Sequence, residues 1–319
     1  MGNKSSTKRI VLEILRNNTK PVSGEEIANK IGLSRVSVWK AVNALENAGY
    51  KIDSTKNGYI LSKDIKDSLF PWELDCNENF SVHFKETTST MEEAKKIAES
   101  QTNSSYKSTK IVTADSQTQA HGKNNTVWNT TKGSLAFTMI TKNQIPVSEN
   151  HRLIMAAQIA WVNVLEKKAN RKFYVRWPND IWSEDGKVAG ILDELSSLGG
   201  ICRYINLGIG INLFEKPQNP KIKTDFAFKT TEVTRKELLS MFLEEFSTLE
   251  ELAKENSKTL SIMWNNLGFD TGKKIKTNIK QTKSAVFNGI NDWGFASITF
   301  NENQTELFPP GTISILKNI

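Results

Sequence analysis

The chain has 319 residues, 38% of them hydrophobic and 24% charged, which predicts a globular protein of two or three domains. No apolar run is long enough to span a membrane, and the first residues lack the apolar stretch of a signal peptide. The two cysteines, Cys76 and Cys202, lack the spacing of a metal site. We therefore expect a cytoplasmic protein with reduced thiols.

The net charge of +7 is concentrated at one end of the chain. Residues 1–62 contain ten lysines and arginines against five acidic residues, and so carry +5 of that charge. Such a basic end indicates a polyanionic partner for this part alone. On charge alone, a solvated lysine-rich face would be the better interpretation, so the choice depends on the secondary structure of this region.

Three helices are predicted in the basic region. Apolar spacing over 10–15 indicates the first helix, Ser23 begins a second that ends at Gly32, and Ser34 begins a third that ends at Gly49. Two helices joined by a tight glycine turn are typical of a helix-turn-helix, whose last helix enters the major groove of DNA.

A hairpin follows the third helix. Residues 50–54 and 59–61 alternate around Asn57-Gly58, which favours a tight β-turn and predicts the wing of a winged helix-turn-helix domain over 1–65. A protein-binding module is the alternative, but the basic residues favour DNA. The predicted DNA contacts are Ser34, Arg35, Ser37, Lys40 and Lys56.

The sequence after Leu61 is charged, contains proline and lacks periodicity, so it is interpreted as a linker. Beyond it, periodicity predicts strands at 80–84, 111–114, 135–140 and 204–213, and helices at 89–100, 149–168 and 233–254. This mixture predicts an α/β (α+β) domain with a mixed, mostly antiparallel sheet.

The segment 174–194, YVRWPNDIWSEDGKVAGILDE, has the most informative chemistry. Pro178 presets a turn that holds Asn179 and Asp180, and Lys187 begins the next strand. A carboxylate, an amide and an ammonium group brought together suit a nucleotide site, because carboxylate binds Mg²⁺ and lysine neutralises phosphate. An ordinary surface hairpin explains the turn residues equally well.

Several segments together resemble one family. SRVSVWKAVNALENAGY, ETTSTMEEAKKIA, RWPNDIW, KVAGILDEL and GIGINL follow in the order and spacing of biotin–protein ligases whose N-terminal winged helix also makes them the biotin operon repressor. Residues 268–319 contain five short alternating runs broken by glycines, which indicates a small β-domain. The resemblance implies a ligase domain over 66–267 and an SH3-like barrel over 268–319.

The resemblance also implies a reaction and its participants. Biotin and ATP would form biotinoyl-5'-AMP with Mg²⁺, and the biotinoyl group would pass to a lysine of a biotin carboxyl carrier domain. Further implied partners are operator DNA and a second copy of the chain when adenylate is bound. Attack of a carboxylate on a phosphate needs cations where negative charge accumulates.

The resemblance assigns roles to residues of this chain. The catalytic residues would be Lys187, Asp180 and Lys123, with Asp180 also the metal ligand. Biotin would be held by Ser89, Thr90, Gln117, Ala120, His121, Gly122, Lys187 and Gly190. ATP or adenylate would be held by Trp128, Arg176, Asn179 and Asn212. Simpler roles exist for some of them, since Ser89 and Thr90 suit a helix cap and Trp128 suits anchoring of its loop.

One loop departs from the family pattern. His121 and Lys123 stand where arginines are expected, whereas Gly122 and Trp128 are kept. An arginine binds carboxylate or phosphate with two parallel hydrogen bonds, and a lysine binds as a point charge. We favour a working ligase, with a biotin- or adenylate-sensing regulator of weak or lost ligase activity as the alternative. A lipoate ligase and an unrelated ligand-responsive repressor are weaker hypotheses.

Overall fold

The computed structural model divides into two compact units, Met1–His83 and Phe84–Ile319. It describes residues 6–74, 78–100, 110–123, 126–141, 145–219, 222–230, 232–278, 285–300 and 304–318. Cys76 lies outside these ranges, whereas Cys202 is buried with a free thiol.

The first unit consists of three helices and a hairpin: α1 (Thr7–Arg16), α2 (Gly24–Ile31), α3 (Arg35–Ala48), β1 (Lys51–Thr55) and β2 (Gly58–Lys63). The predicted caps are confirmed, because Ser23 and Ser34 accept backbone N–H groups at the starts of α2 and α3. Gly32 and Gly49 end these helices with positive φ angles, which glycine adopts without steric cost.

The segment interpreted as a linker packs onto the first unit instead. Leu69 and Leu74 are fully buried, and Phe70 and Trp72 pack against the core formed by the three helices. Arg16 binds Glu73 with two hydrogen bonds of 2.6 and 3.0 Å. The charged residues of this segment suggested a linker, but its five large apolar side chains, which include Ile65, decide its position by burying their surface. The domain limits at 65 and 267 stay predictions.

The second unit is built on a seven-stranded sheet in the order β3-β4-β5-β9-β8-β7-β6. From β4 to β6 along this order, neighbouring strands pair antiparallel, in agreement with the predicted sheet type. The strands are β3 (Ser81–Thr87), β4 (Lys110–Gln117), β5 (Leu135–Thr141), β6 (Tyr174–Arg176), β7 (Asp180–Ser183), β8 (Gly186–Leu198) and β9 (Ile201–Ile211).

One face of the sheet is covered by long helices. Phe137 of β5 points to α5 (His151–Ala169) and α6 (Arg235–Glu255), where Trp161 and Phe242 stack with ring centroids 4.5 Å apart. A further helix, α7 (Ser257–Asn266), was not predicted. It is short, and Leu260 and Trp264 are its buried large apolar residues, so its periodic signal is weak.

The opposite face is only partly covered. Ala94 and Ala98 of α4 (Thr90–Ser100) pack with Val112, Ile140 and Tyr204 on strands β4, β5 and β9. Thr138 neighbours Phe137 along β5 and therefore points to the face opposite that of Phe137. The part of this face beyond α4 borders the cavity described below.

The predicted C-terminal β-domain is a five-stranded antiparallel sheet in the order β13-β12-β11-β10-β14. Its strands are β10 (Lys273–Thr277), β11 (Ala285–Ile290), β12 (Ala296–Phe300), β13 (Gln304–Phe308) and β14 (Ile315–Asn318). Its SH3-like character stays a prediction. No helix in the described part of the chain has the length and apolarity needed to cross a bilayer.

Candidate active site

A cavity of about 810 Å³ opens beside strands β8 and β9. This volume lies within the range of sites for small ligands and cofactors. The structure brings these predicted residues to its wall: Ser89, Thr90, Gln117, Ala120, His121, Gly122, Lys123, Trp128, Asn179, Asp180, Lys187, Gly190 and Asn212. Arg176 is the exception among the residues predicted to bind ligand, and its position is described below.

Lys187 and Asp180 form the charged centre of the cavity wall. Lys187 Nζ lies 2.7 Å from Asp180 Oδ1, and about a fifth of each side chain is exposed. Asp180 follows the Trp177-Pro178 turn, whose peptide bond is cis. The buried Gln158 of α5 donates to the carbonyl oxygens of Asp180 and Arg176 and so fixes both ends of this turn.

Three glycines give the cavity a flat floor. A Cβ atom on Gly210 would lie 2.6 Å from the Trp128 ring, and one on Gly208 would lie 2.6 Å from the Met91 methyl group. A Cβ atom on Gly190 would lie 3.2 Å from both Lys187 Nζ and the Trp128 ring. The glycines therefore let the indole and the ammonium group lie directly on the sheet, 5.5 Å apart.

The end of the cavity beneath α4 is polar and uncharged. Gln117 Oε1 accepts hydrogen bonds from the backbone N–H and the hydroxyl of Thr90, at 2.7 and 3.1 Å. Thr138 donates to the same hydroxyl at 2.9 Å. Ser89 accepts the backbone N–H of Met91, so its hydroxyl also caps α4. These hydroxyl and amide groups suit a neutral ligand that is recognised by directional hydrogen bonds.

Asn212 marks the other end of the cavity. Gly208 and Asn212 are four residues apart, which along a strand corresponds to about 13 Å. The Asn212 amide donates to the Asp225 carbonyl oxygen at 3.1 Å, and its buried Oδ1 has no hydrogen-bond partner among the described residues. The same holds, within the described part of the chain, for the buried Trp128 Nε1. A ligand that supplies a donor and an acceptor would satisfy both groups.

A segment that sequence reasoning missed forms the wall near Asn212. Pro217, Ile222 and Thr224 line the cavity, and the backbone of Lys187 is held between residues 223 and 225 by hydrogen bonds of 2.9 Å. Gly186 permits this approach, because a Cβ atom there would lie 2.7 Å from the Lys223 carbonyl oxygen. The segment lacks a periodic pattern, so no sequence signal marked it.

Asp225 anchors this segment. Its Oδ2 accepts a hydrogen bond from the buried Ser183 hydroxyl and pairs with Arg171 at 2.7 Å. Burial alone would raise the pKa of Asp225, but the hydrogen bonds from Ser183, the Phe226 backbone and Arg171 outweigh it and hold that pKa below its usual range. The carboxylate therefore stays ionised at neutral pH.

Comparisons with known proteins agree with this architecture. Residues 8–60 match the model of an HTH domain, and residues 83–212 match the model of the biotin/lipoate A/B protein ligase family. The chain is also 25% identical over 303 residues to the bifunctional ligase/repressor BirA of Bacillus subtilis, which covers 90% of this chain and 92% of that protein. Residues 83–212 therefore resemble the biotin/lipoate A/B protein ligase family, and the chain as a whole resembles a bifunctional ligase/repressor.

Two further relatives extend the match. A biotin–[acetyl-CoA-carboxylase] ligase of Paracoccus denitrificans is 31% identical over 133 residues, which is 41% of this chain and 53% of that protein. The structure of the biotin protein ligase of Aquifex aeolicus in complex with biotin and ATP has the same fold. Its TM-score is 0.59 at 22% identity, and the match covers 73% of this chain and 97% of that chain.

The loop that departs from the biotin ligase pattern, which contains His121 and Lys123, lies at the cavity. His121 Nε2 is 3.8 Å from Glu194 Oε1, and the Gly122 N–H donates to the Thr126 carbonyl oxygen at 2.7 Å. The Trp128 N–H donates to the Ala120 carbonyl oxygen at 3.0 Å, so the loop returns on itself. Lys123 is exposed at the rim, where it offers a positive charge to an anionic ligand.

Arg176, at the end of β6, does not line the cavity. Its guanidinium pairs with the buried Asp270 at 2.7 Å and lies 4.2 Å from the Trp182 ring centroid. Its place in the RWPNDIW segment suggested a ligand contact. Instead, Arg176 joins β6 to the segment before the C-terminal sheet. Trp177 is also structural, because its buried indole donates to the Gly294 carbonyl oxygen.

The predicted DNA contacts lie in the first unit. Ser34 Oγ accepts the Ser37 N–H at 3.1 Å and thereby begins α3, whereas Arg35, Lys40 and Lys56 are exposed. The structure adds two exposed apolar residues of α3 that sequence reasoning missed, Val36 and Trp39. A helical projection would have shown them to lie off the buried stripe of this helix.

Proposed function

We propose that this protein is an ATP-dependent biotin–protein ligase that also represses transcription in response to biotin. The observation that supports it most strongly is the Lys187–Asp180 pair set between a neutral polar end and the Asn212 end of one cavity. The matches to biotin ligases and to bifunctional ligase/repressors support both activities.

The cavity suggests how the substrates lie. The ureido ring of biotin would occupy the end formed by Thr90, Gln117 and Thr138, where hydroxyl and amide groups can match its donors and acceptors. Its carboxylate would then extend to Lys187. The nucleotide would occupy the wall of Asn212 and Thr224, where Asn212 Oδ1 lacks a partner.

The first step is attack by the biotin carboxylate oxygen on the α-phosphorus of ATP. The bond from that phosphorus to the oxygen bridging the β-phosphate breaks, and pyrophosphate leaves with the bonding electron pair. Negative charge increases on the α-phosphate oxygens, and the Lys187 ammonium group is placed to offset it. Lys123 would add positive charge at the cavity rim.

In the second step, the amine of a carrier-domain lysine attacks the acyl carbon of biotinoyl-5'-AMP. An amide bond forms, AMP leaves, and the amine loses a proton. Asp180 is the carboxylate at the cavity centre and is the group placed to accept that proton.

The site also fits Mg²⁺. The described residues contain no cluster of three metal-ligating side chains, but Mg²⁺ commonly binds one carboxylate together with substrate phosphates and water. Asp180, with Asn179 beside it, is the carboxylate in position for this. The ion would supply charge neutralisation for the triphosphate.

The helix-turn-helix would bind operator DNA through Ser34, Arg35, Ser37, Lys40 and Lys56. We propose that biotinoyl-5'-AMP promotes a homodimer. Each protomer would place its helix-turn-helix on one half-site of a two-fold symmetric operator. Because the proposed function uses ATP and operator DNA, we expect the protein to act in the cytoplasm.

The second candidate function is a biotin-sensing regulator with weak or lost ligase activity. It is favoured by one observation, that His121 and Lys123 take the loop positions where the family pattern has arginines. The test is transfer of labelled biotin to a carrier domain with ATP and Mg²⁺. Stoichiometric transfer supports the ligase, whereas tight biotin binding without transfer at any protein concentration overturns it.

A further inference from the structure

The solvent-facing side of α3 is partly apolar. The helix buries Val38, Ala41, Val42 and Leu45 in the core of the first unit. At 100° per residue, Val36 points about 170° away from the centre of this buried stripe. Lys40 and Asn43 follow Val36 at intervals of four and three residues and share its side of the helix.

Three large apolar side chains are exposed within seven residues here. Leu33 in the turn before α3 is 45% exposed, Val36 is 59% exposed and Trp39 is 53% exposed. Single exposed apolar residues are common on proteins, but a contiguous group usually marks a surface that binds something.

The charge around this group identifies its partner. The first 62 residues carry ten basic and five acidic residues, and Arg35 and Lys40 are exposed beside Val36. A basic surface of this kind complements the charge of a polyanion. A purely apolar protein partner would leave these basic residues without a complementary charge. Double-stranded DNA also has apolar groups on the floor of its major groove, the C5 methyl groups of thymine.

The position of Val36 fits such a contact. It is the second residue of α3, and the N-terminal residues of a recognition helix are those that contact base edges in the major groove. Lysine and arginine side chains nearby can bind phosphates or guanine, but they cannot recognise a methyl group. Valine and tryptophan side chains, in contrast, can pack against a methyl group.

We propose that Val36 and Trp39 read thymine bases by packing against their methyl groups. This inference rests on the proposed DNA-binding function and adds two specificity residues to it. The operator half-site would then contain thymines at the positions that face the start and the first turn of α3.

The test uses the full-length protein with biotin and ATP. Duplexes are selected from a random library, and the selected sequence is made once with thymine and once with deoxyuridine, which lacks only the methyl group. We expect the uracil duplex to bind about fourfold more weakly for each methyl group that is buried. Equal dissociation constants for the two duplexes would overturn the inference and leave DNA binding itself intact.

The variants Val36→Ala and Trp39→Ala assign the contact. Each should reduce the ratio of the uracil to the thymine dissociation constant towards 1, because the side chain that contacts the methyl group is gone. Ile262→Ala and Trp293→Ala are matched controls, at 52% and 48% exposure outside the first unit, and should preserve the ratio. Thermal melting checks that all four variants fold.

The outcomes separate the two proposals. If no duplex is enriched under any condition, the DNA-binding function fails. If duplexes are enriched but both α3 variants weaken thymine and uracil duplexes equally, the methyl contact is wrong. A partner protein on this surface would appear as an altered association state of the α3 variants with the thymine-to-uracil ratio unchanged, and would also overturn the inference.

Discussion

Lys187 combines two features that suit a group for phosphate chemistry. Its backbone is held by the 223–225 segment, and its ammonium group is held by Asp180 at 2.7 Å. A charge fixed in this way needs little reorganisation when negative charge develops nearby, which is the basis of electrostatic catalysis. The residue therefore offers the most direct test of the proposed chemistry.

Replacing Lys187 should abolish most adenylate formation. We expect Lys187→Ala to slow biotin-dependent pyrophosphate release by about 100-fold or more, the usual cost of one preorganised charge stabiliser. Lys187→Arg keeps the charge and should retain more activity. Lys172→Ala removes an exposed lysine and serves as the control. Unchanged pyrophosphate release in Lys187→Ala would refute the assignment.

His151 makes the stability of the protein depend on pH. It is fully enclosed at the start of α5, and burial, with a contribution from the charge of Lys123, lowers its pKa from 6.5 to about 3. Below pH 6.5, His151 of the unfolded chain therefore binds a proton, whereas the buried His151 of the folded chain stays neutral. The free energy of unfolding must fall as pH decreases through this window.

Between pH 6.5 and 5, this effect amounts to about 2 kcal/mol from His151. Urea unfolding at a series of pH values should show the loss, and His151→Gln should flatten it because glutamine does not titrate. Above pH 7 the variant and the wild type should have parallel profiles. The same slope for both proteins at pH 5–6.5 would show that His151 does not bear the effect.

At the scale of elements, the nucleotide end of the cavity depends on how one irregular segment is attached to the sheet. Asp225 joins that segment to Arg171 and Ser183, while the backbone around it holds Lys187 and Asn212. Asp225 is thus a positioning residue that acts through its neighbours.

We expect Asp225→Asn to raise the KM for ATP at least tenfold with a much smaller change in the KM for biotin. The charge of Arg171 loses its 2.7 Å partner, and the wall formed by residues 217–219, 222 and 224 loosens, whereas the Thr90–Gln117 end is unaffected. Steady-state kinetics with each substrate varied separately measure the difference. Equal changes in both KM values would indicate general destabilisation instead.

A matched control is available nearby. Asp185 lies 3.9 Å from Lys223 and 3.8 Å from Arg171, and its side chain is 74% exposed. Exposed ion pairs of this kind contribute little to stability, about 0–1 kcal/mol. Asp185→Asn should therefore leave both KM values and the free energy of unfolding nearly unchanged.

At the scale of the whole molecule, the proposed function requires coupling between ligand binding and DNA binding. If biotin and ATP together strengthen DNA binding by some factor, DNA must strengthen binding of the adenylate by the same factor. We expect that factor to be about 5–150, the usual range of allosteric coupling.

Fluorescence anisotropy with a selected duplex measures one side of this coupling, and adenylate dissociation with and without the duplex measures the other. Biotin alone and ATP alone are the controls. The affinity for DNA should also fall steeply with salt, because lysines and arginines release counterions from phosphates. Ligand-independent affinity would refute the regulatory coupling and leave the ligase activity standing.

Much of the fold was predictable because its signals are local. Ser23, Gly32, Ser34 and Gly49 mark helix ends through hydrogen bonds and φ angles that involve only their neighbours. The Asn57-Gly58 turn and the periodic helices of the second unit are similarly local. The helix α7 was missed because its short apolar pattern carries too little signal.

The amino-acid sequence by itself determined the types of element, the HTH and ligase motifs, and the polar and charged residues of the cavity. Only the tertiary structure decided that Arg176 pairs with Asp270, that the supposed linker packs onto the first unit, and that residues 217–219, 222 and 224 complete the cavity. The reason is physical. Motif residues can be recognised in the sequence by their type and spacing. The partner of a charged or apolar side chain, in contrast, comes from a distant segment that meets it only after folding.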